Sequence, residues 1–167
     1  MSDKAKYAYL AGIIDGEGCI TIGAGKKETC INYNAILCVQ NTSRKLIDWI
    51  QSHFGGQIYL SKKETDKTKA AWMWRFTKKK DIELILLAIL PYLVVKKEQA
   101  KILLNYVRLD RSMSSEVRRL AYEQLRALNA RGKSVTTNTQ EAEEFFAKIE
   151  SELIGDNESD PVVTLES

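Results

Sequence analysis

Residues 7–20 read Y-A-Y-L-A-G-I-I-D-G-E-G-C-I, and this stretch constrains the chain more than any other. Leu10, Ala11, Ile13 and Ile14 form an apolar run free of proline, which predicts a helix. At helical spacing Ala8, Gly12 and Asp15 fall on one face. Two small residues one turn apart admit a second helix closer than the usual separation of ~8–10 Å. The step Gly16-Glu17-Gly18 is expected to stop the helix, because glycine tolerates the dihedrals of a C-cap. Asp15 and Glu17 then stand at the negative end of the helix dipole, which a bound cation would make favourable. Taken alone, the same run also fits a buried helix that ends in a polar turn.

With 167 residues, one domain with room for a substantial core is expected. No run of about 18 apolar residues occurs, so no membrane span is expected. The N-terminal residues lack a secretory or transit pattern. Cys19, Cys30 and Cys38 are odd in number and lack C-x-x-C spacing. They point to a reducing compartment, without a zinc site or a disulfide framework. Charge is divided unevenly: residues 1–133 hold 24 Lys and Arg against 13 Asp and Glu, whereas residues 134–167 hold 1 against 9. A basic body of that size fits a nucleic-acid partner, with the acidic end as an appendage turned away from it.

Along the chain, the run after Gly18 alternates as a strand with Ile20 and Ile22 on one face, and Gly23, Gly25, Lys26 and Lys27 read as a turn. Residues 32–40 read as a second strand. Asn41-Thr42-Ser43 supplies N-cap chemistry for a helix through Ile47 and Ile50 to about Phe54, closed by Gly55-Gly56. Strands over 57–62 and 71–77 flank a polar loop at 63–69. In the latter strand Trp72, Trp74 and Phe76 share one face, which favours core over a base-stacking platform. Helices are expected over 81–90, ended by Pro91, then from Lys96-Lys97-Glu98-Gln99 to about Arg108, and over about 114–128. A last helix is expected over 138–153, with Asn138 and Glu141 as a variant capping box. Residues 1–154 are read as one domain, and 155–167 as an acidic, disordered tail. Two hairpins interleaved with helices give an α+β fold, with one antiparallel sheet covered by helices.

An antiparallel sheet with one apolar and one polar face can lie along a major groove. Groove-facing candidates are Thr21, Gln57, Tyr59, Ser61, Lys63 and Arg75, together with either Asn32 and Asn34 or Tyr33, since these lie on opposite sides of their strand. An ordinary solvated sheet face is the alternative.

The nonapeptide Leu10-Ala11-Gly12-Ile13-Ile14-Asp15-Gly16-Glu17-Gly18 resembles the signature of the LAGLIDADG homing endonucleases, and residues 7–133 follow that family in element order. The resemblance implies an αββαββα fold with a saddle-shaped sheet, helices on one face and further C-terminal helices. It also implies hydrolysis of double-stranded DNA with Mg²⁺, for which Mn²⁺ or Ca²⁺ substitutes in the site. By signature position Glu17 is the metal ligand, with the Gly16 carbonyl contributing. Here Glu replaces the more familiar Asp, and Gly16 replaces Ala. Gln40 matches a residue that orders the water network, and Arg44 and Lys96 match a basic pair near the scissile phosphate, suited to transition-state charge. Cations at helix N-termini oppose the dipole, which hints at an anionic compensator. Asn129, Arg131 and Lys133 resemble a loop that contacts backbone phosphates, and the lone His53 reads as structural.

One signature per chain implies a homodimer packed through Ala8, Ala11, Gly12 and Asp15, reading a pseudo-palindromic site of ~20 base pairs. The alternative is a protein of the same fold that does not cut: an intron RNA maturase or a DNA-binding relic. Members of the family are often organelle-encoded, so a mitochondrion or chloroplast is one expected location and a bacterial cytoplasm the other.

Overall fold

The computed structural model describes residues 1–27, 30–109 and 114–130. Residues Met1–Arg131 form one unit, and Gly132–Ser167 a second. The expected helix over 138–153, the acidic tail, Arg131 and Lys133 lie outside the described residues. Among the described residues, five α-helices and four strands follow in the order α1 (Asp3–Glu17), β1 (Gly18–Lys27), β2 (Cys30–Asn41), α2 (Arg44–Phe54), β3 (Gln57–Lys62), β4 (Ala71–Phe76), α3 (Lys79–Ile89), α4 (Lys97–Arg108) and α5 (Ser115–Asn129). Among the described residues no helix is long and apolar enough to cross a membrane.

The strands form one antiparallel sheet in the order β1-β2-β4-β3. Strand side chains alternate between faces, and the register decides which residues share one. Ile20 faces Leu37, Ile22 faces Ala35, Leu37 faces Phe76 and Val39 faces Trp74. All of these are buried. Against them pack Leu10 and Ile14 of α1, Ile47 and Ile50 of α2, Ile82 and Leu86 of α3, Leu103 of α4 and Leu125 of α5. The helices therefore cover one face of the sheet and leave the other open.

Several boundaries differ from those expected. Helix α1 continues through Gly16 and Glu17 and ends at Gly18, whose backbone is extended (φ −79°, ψ 159°) rather than left-handed. Glycine is needed there for space: a Cβ would lie 2.7 Å from Ile14 Cα as the chain turns back along its own last helical turn. Strand β1 runs through Gly23 and Gly25 to Lys27, paired up to Cys30, so the expected turn is strand. Helix α3 begins two residues early, and Pro91 sits in a 3₁₀ turn, Leu90–Tyr92, instead of directly ending the helix.

The start of α2 is as expected. Ser43 Oγ accepts from Leu46 N, and Asn41 Oδ1 accepts from Ser43 N at 2.8 Å. Its end uses two left-handed glycines, Gly55 (φ 75°) and Gly56 (φ 89°). Trp74 Nε1 donates to the Gly55 carbonyl at 2.6 Å, and a Cβ on Gly56 would lie 2.6 Å from that same nitrogen. Gly56→Ala therefore strains the backbone and dislodges a buried indole. Its expected cost is about 2–3 kcal/mol in urea unfolding. Unfolding at the wild-type midpoint would show that neither constraint operates.

Candidate active site and nucleic-acid interface

The carboxyl end of α1 is tied to the start of α4 by a reciprocal clasp. Asp15 Oδ2 accepts from Val94 N at 2.8 Å, and its Oδ1 accepts from Lys96 N at 2.9 Å. Lys96 Nζ donates in return to the carbonyls of Ile14, Asp15 and Gly18, at 2.8, 2.9 and 2.8 Å. Each charge thus meets the helix terminus of opposite sign: the carboxylate lies at the amino end of α4, and the ammonium at the carbonyl end of α1. Both oxygens of Asp15 are thus bonded within the protomer, and the three N–H donors of Lys96 are directed to carbonyls. The anionic compensator inferred for Lys96 is internal to the fold.

The same clasp leaves Glu17 at the end of α1, exposed. Gly18 faces Val39 across β1 and β2, so Glu17 and Gln40 stand together at that end of the hairpin. Gln40 is exposed on the open face, opposite Met73. Arg44 follows in the first turn of α2. Its Nε donates to Asp48 Oδ1 at 2.7 Å, and its guanidinium carbon lies 4.2 Å from the centre of the Trp72 ring. The half-exposed Trp72 is therefore a shelf for Arg44 rather than a core residue like Trp74. Stacking on the indole and the Asp48 bond hold the guanidinium in place.

Among the described residues no group of three or more His, Cys, Asp and Glu side chains is placed to hold a metal. Glu17 and the neighbouring carbonyl of Gly16 are hard oxygen donors of the kind that Mg²⁺ and Ca²⁺ take. One chain supplies only part of such a donor set, so the fit requires donors from outside the protomer.

The open face of the sheet carries Thr21, Asn32, Asn34, Gln40, Gln57, Tyr59 and Arg75, all half-buried or exposed. Tyr59 and Gln57 share it through a hydrogen bond from the phenol to the amide oxygen. Register settles the parity of β2 in favour of Asn32 and Asn34. Tyr33 points to the helix side, where its ring packs 5.5 Å from Tyr122 and its carbonyl accepts from Tyr106 Oη at 2.7 Å. It is therefore not a groove-facing residue. Ser61 sits in a bulge of β3 and donates to the Ala71 carbonyl at 3.0 Å, while Lys63 is exposed just beyond that strand. Asn129 Nδ2 donates to the Ile20 carbonyl at 2.9 Å, which fastens α5 to β1. One of its two amide N–H groups is thus used inside the fold. His53 Nδ1 lies 2.8 Å from the Trp49 carbonyl, and its ring stacks on Trp49, at the far end of α2 from Arg44.

Two residues on the open face were not singled out by spacing. Cys19 and Cys38 face each other across β1 and β2. The hydrogen bond from Cys38 draws Cys19 down to about 6, with burial opposing and the Lys96 charge assisting. The same bond, with burial, pushes the Cys38 thiol up. Counting alternate residues back from Gln40 would have placed Cys38 on this face.

On the helix side, Ala11 is fully buried and belongs to the core, so it offers no surface to a second chain. Ala8 and Gly12 remain exposed, and a Cβ on Gly12 or Gly16 would meet nothing within 4 Å. Beside the end of α1, Val94 and Val95 are 83% and 69% exposed.

A family model described as LAGLIDADG endonuclease matches residues 10–108. Among solved structures, the homing endonuclease I-CvuI in complex with its target in the presence of Ca is similar at 25% identity and a TM-score of 0.66, covering 89% of this chain and 96% of that one. The archaeal intron-encoded homing endonuclease I-Vdi141I, complexed with DNA, is similar at 16% identity and a TM-score of 0.62, covering 90% and 98%. The group I intron-encoded I-CeuI, also complexed with DNA, is 15% identical with a TM-score of 0.57, covering 80% and 70%. These last two likenesses concern the fold alone. No curated protein matches the chain.

Proposed function

Because the chain belongs to the LAGLIDADG endonuclease family, we propose that it is a homing endonuclease: a homodimer that cuts both strands of a long, pseudo-palindromic DNA site with Mg²⁺. The observation that carries this reading is the exposed Glu17 carboxylate at the end of a helix whose own charge is already compensated by the Asp15–Lys96 clasp. A carboxylate held there by the fold, exposed beside the clasp, is suited to receive a cation.

In this reading Glu17 and the Gly16 carbonyl hold Mg²⁺, and Mn²⁺ or Ca²⁺ fits the same oxygen donors. When bound, the cation supplies Lewis acidity for water activation and for the leaving oxygen. Gln40 orders water beside Glu17 through its amide. Arg44, steadied by Asp48 and Trp72, presents a fixed positive charge to the phosphate in its strained, more negative transition state. Lys96 acts one step removed, by holding the last turn of α1 and adding positive charge under the site. Thr21, Asn32, Asn34, Gln57, Tyr59 and Arg75 present donors and acceptors to base edges, while Lys63, Arg131 and Lys133 supply phosphate contacts.

The partial donor set of one protomer supports a second copy across a two-fold axis. Ala8 and Gly12 provide the smooth surface for close helix approach, and Val94 and Val95 provide apolar area at its edge. Gly12 is a clean probe, because it is exposed and a Cβ added there meets nothing within 4 Å in its own protomer. Gly12→Leu is expected to leave the melting of the protomer unchanged. It should halve the mass seen by light scattering, from twice 19.0 kDa to 19.0 kDa. An unaltered mass for the variant would place the dimer contact elsewhere.

A cleavage selection tests the function itself. The full chain is incubated with Mg²⁺ and a library of random long duplexes, and cut molecules are sequenced. The expected product is one family of sites of ~20 base pairs with two-fold character and short 3′ overhangs. Recovery of bound but uncut duplexes favours the non-cleaving DNA-binding relic. Binding of structured intron RNA with no duplex recovered favours a maturase. Action inside the organelle or bacterium whose DNA encodes the chain accords with this function.

A further inference from the structure

The thiols of Cys19 and Cys38 are used by nothing in the proposed cleavage, yet they stand directly opposite each other in the β1–β2 register. Facing residues on antiparallel strands have Cα atoms ~4.5 or ~5.5 Å apart, depending on their hydrogen-bond pairing. Both separations lie inside the ~4.4–6.8 Å that a disulfide spans. The two side chains point to the same open face and share a hydrogen bond. Cys19 is exposed, and Cys38 is nearly covered behind it. Basic groups flank the pair: Lys96 acts on Cys19, and Arg75 faces Cys38 across β2 and β4. The pair is thus open from one side, adjoined by positive charge, and already close enough to bond.

We propose that Cys19 and Cys38 are a modification site for small anionic disulfides of the glutathione type, which convert the pair to an intramolecular disulfide. The exposed Cys19 sulfur attacks one sulfur of oxidised glutathione. The S–S bond of that molecule breaks, a mixed disulfide forms, one glutathione thiolate leaves and the Cys19 proton passes to solvent. The Cys38 sulfur then attacks the Cys19 sulfur, gives up its own proton and releases the second glutathione. Two protein thiols are oxidised, and one oxidised glutathione is reduced to two thiols. The positive flank concentrates the anionic reagent at the first step. Cys30 is an internal control. It pairs with Lys27 at the other end of β2, eight residues from Cys38, which is ~26 Å along a strand.

The test treats the full chain with oxidised glutathione, blocks remaining thiols with N-ethylmaleimide, and reads intact mass and a peptide map. The expected result is one Cys19–Cys38 cross-link with Cys30 alkylated, reversed by dithiothreitol. Cys38→Ser should stop at a stable glutathione adduct on Cys19, and Cys19→Ser should leave Cys38 unreacted over the same time. A stable adduct on Cys19 in the wild type with Cys38 alkylated would overturn the proposal, as would a cross-link through Cys30. A parallel arm adds a bound duplex, which should slow the reaction at least tenfold if DNA covers this face. Equal rates with and without duplex would refute the DNA face while leaving the thiol site standing.

Discussion

Glu17→Gln is expected to lower the rate of DNA cleavage by at least about a thousandfold while leaving DNA binding intact. The amide keeps the size and rotamers of the carboxylate but cannot neutralise a divalent cation. Without that cation the attacking water would stay a weak nucleophile, and the developing negative charge would be met only by the protein's own cations, Arg44 foremost. Binding should persist, because replacing a negative group next to a phosphate removes repulsion. Stability moves the other way from activity. A negative side chain at the carbonyl end of α1 is unfavourable by ~0.3–1 kcal/mol, so the variant should melt at or slightly above the wild-type temperature. An inactive, fully folded, DNA-binding protein is the combination to look for. Undiminished cutting by Glu17→Gln, on a site recovered by selection, would remove Glu17 from the chemistry.

The second large effect concerns Lys96. Replacing it by Met keeps most of the aliphatic stem but removes three donors from the carbonyls of Ile14, Asp15 and Gly18. It also leaves the Asp15 carboxylate without its neighbouring cation. Unpaired polar groups cost ~1–3 kcal/mol each, with partial relief where water reaches them. A loss of about 3 kcal/mol follows, or roughly 10 °C in melting temperature for a protein of this size. Cleavage should fall as well, since Glu17 stands two residues beyond Asp15 on the turn that Lys96 holds. Asp15→Ala should show a similar loss of stability. The double variant should lose much less than the sum, because the two residues form one clasp. A Lys96→Met protein that melts like the wild type but no longer cuts would mean that Lys96 works at the phosphate and not on the helix end.

The parts of the fold legible in sequence were those set by local chemistry. Alternation of Ile20 with Ile22 and of Trp74 with Phe76 fixed the inner face of the sheet. Ser43 and the Gly55-Gly56 pair fixed the ends of α2. The LAGLIDADG-like nonapeptide fixed both the family and the location of Glu17. The reach of β1 was missed because Gly23, Gly25 and two lysines resemble a turn, and only pairing with β2 makes them strand. The parity of β2 stayed open because Asn32, Tyr33 and Asn34 are all polar. A neighbouring strand decides it, and Tyr33 goes to the helix side because Tyr122 and Tyr106 meet it there.

The clasp lies beyond any local reading of the sequence. Asp15 and Lys96 are 81 residues apart, and each looked unfavourable at its own helix terminus. Each is favourable at the terminus of the other helix, a fact that no local window contains. The same holds for Asn129, whose bond to the Ile20 carbonyl joins residues 109 positions apart. Spacing places Trp72 with Trp74, but α2 brings Arg44 over it.

Cleavage in the proposed form requires two copies of Glu17 to meet at one cation site beside DNA. The most direct measurement is the anomalous scattering of Mn²⁺ in crystals of the full chain on its selected duplex. The expected result is manganese between the Glu17 carboxylates and Gly16 carbonyls of two copies, whose α1 helices touch through Ala8 and Gly12. Glu17 side chains far apart or facing bulk solvent, with manganese bound elsewhere, would contradict it.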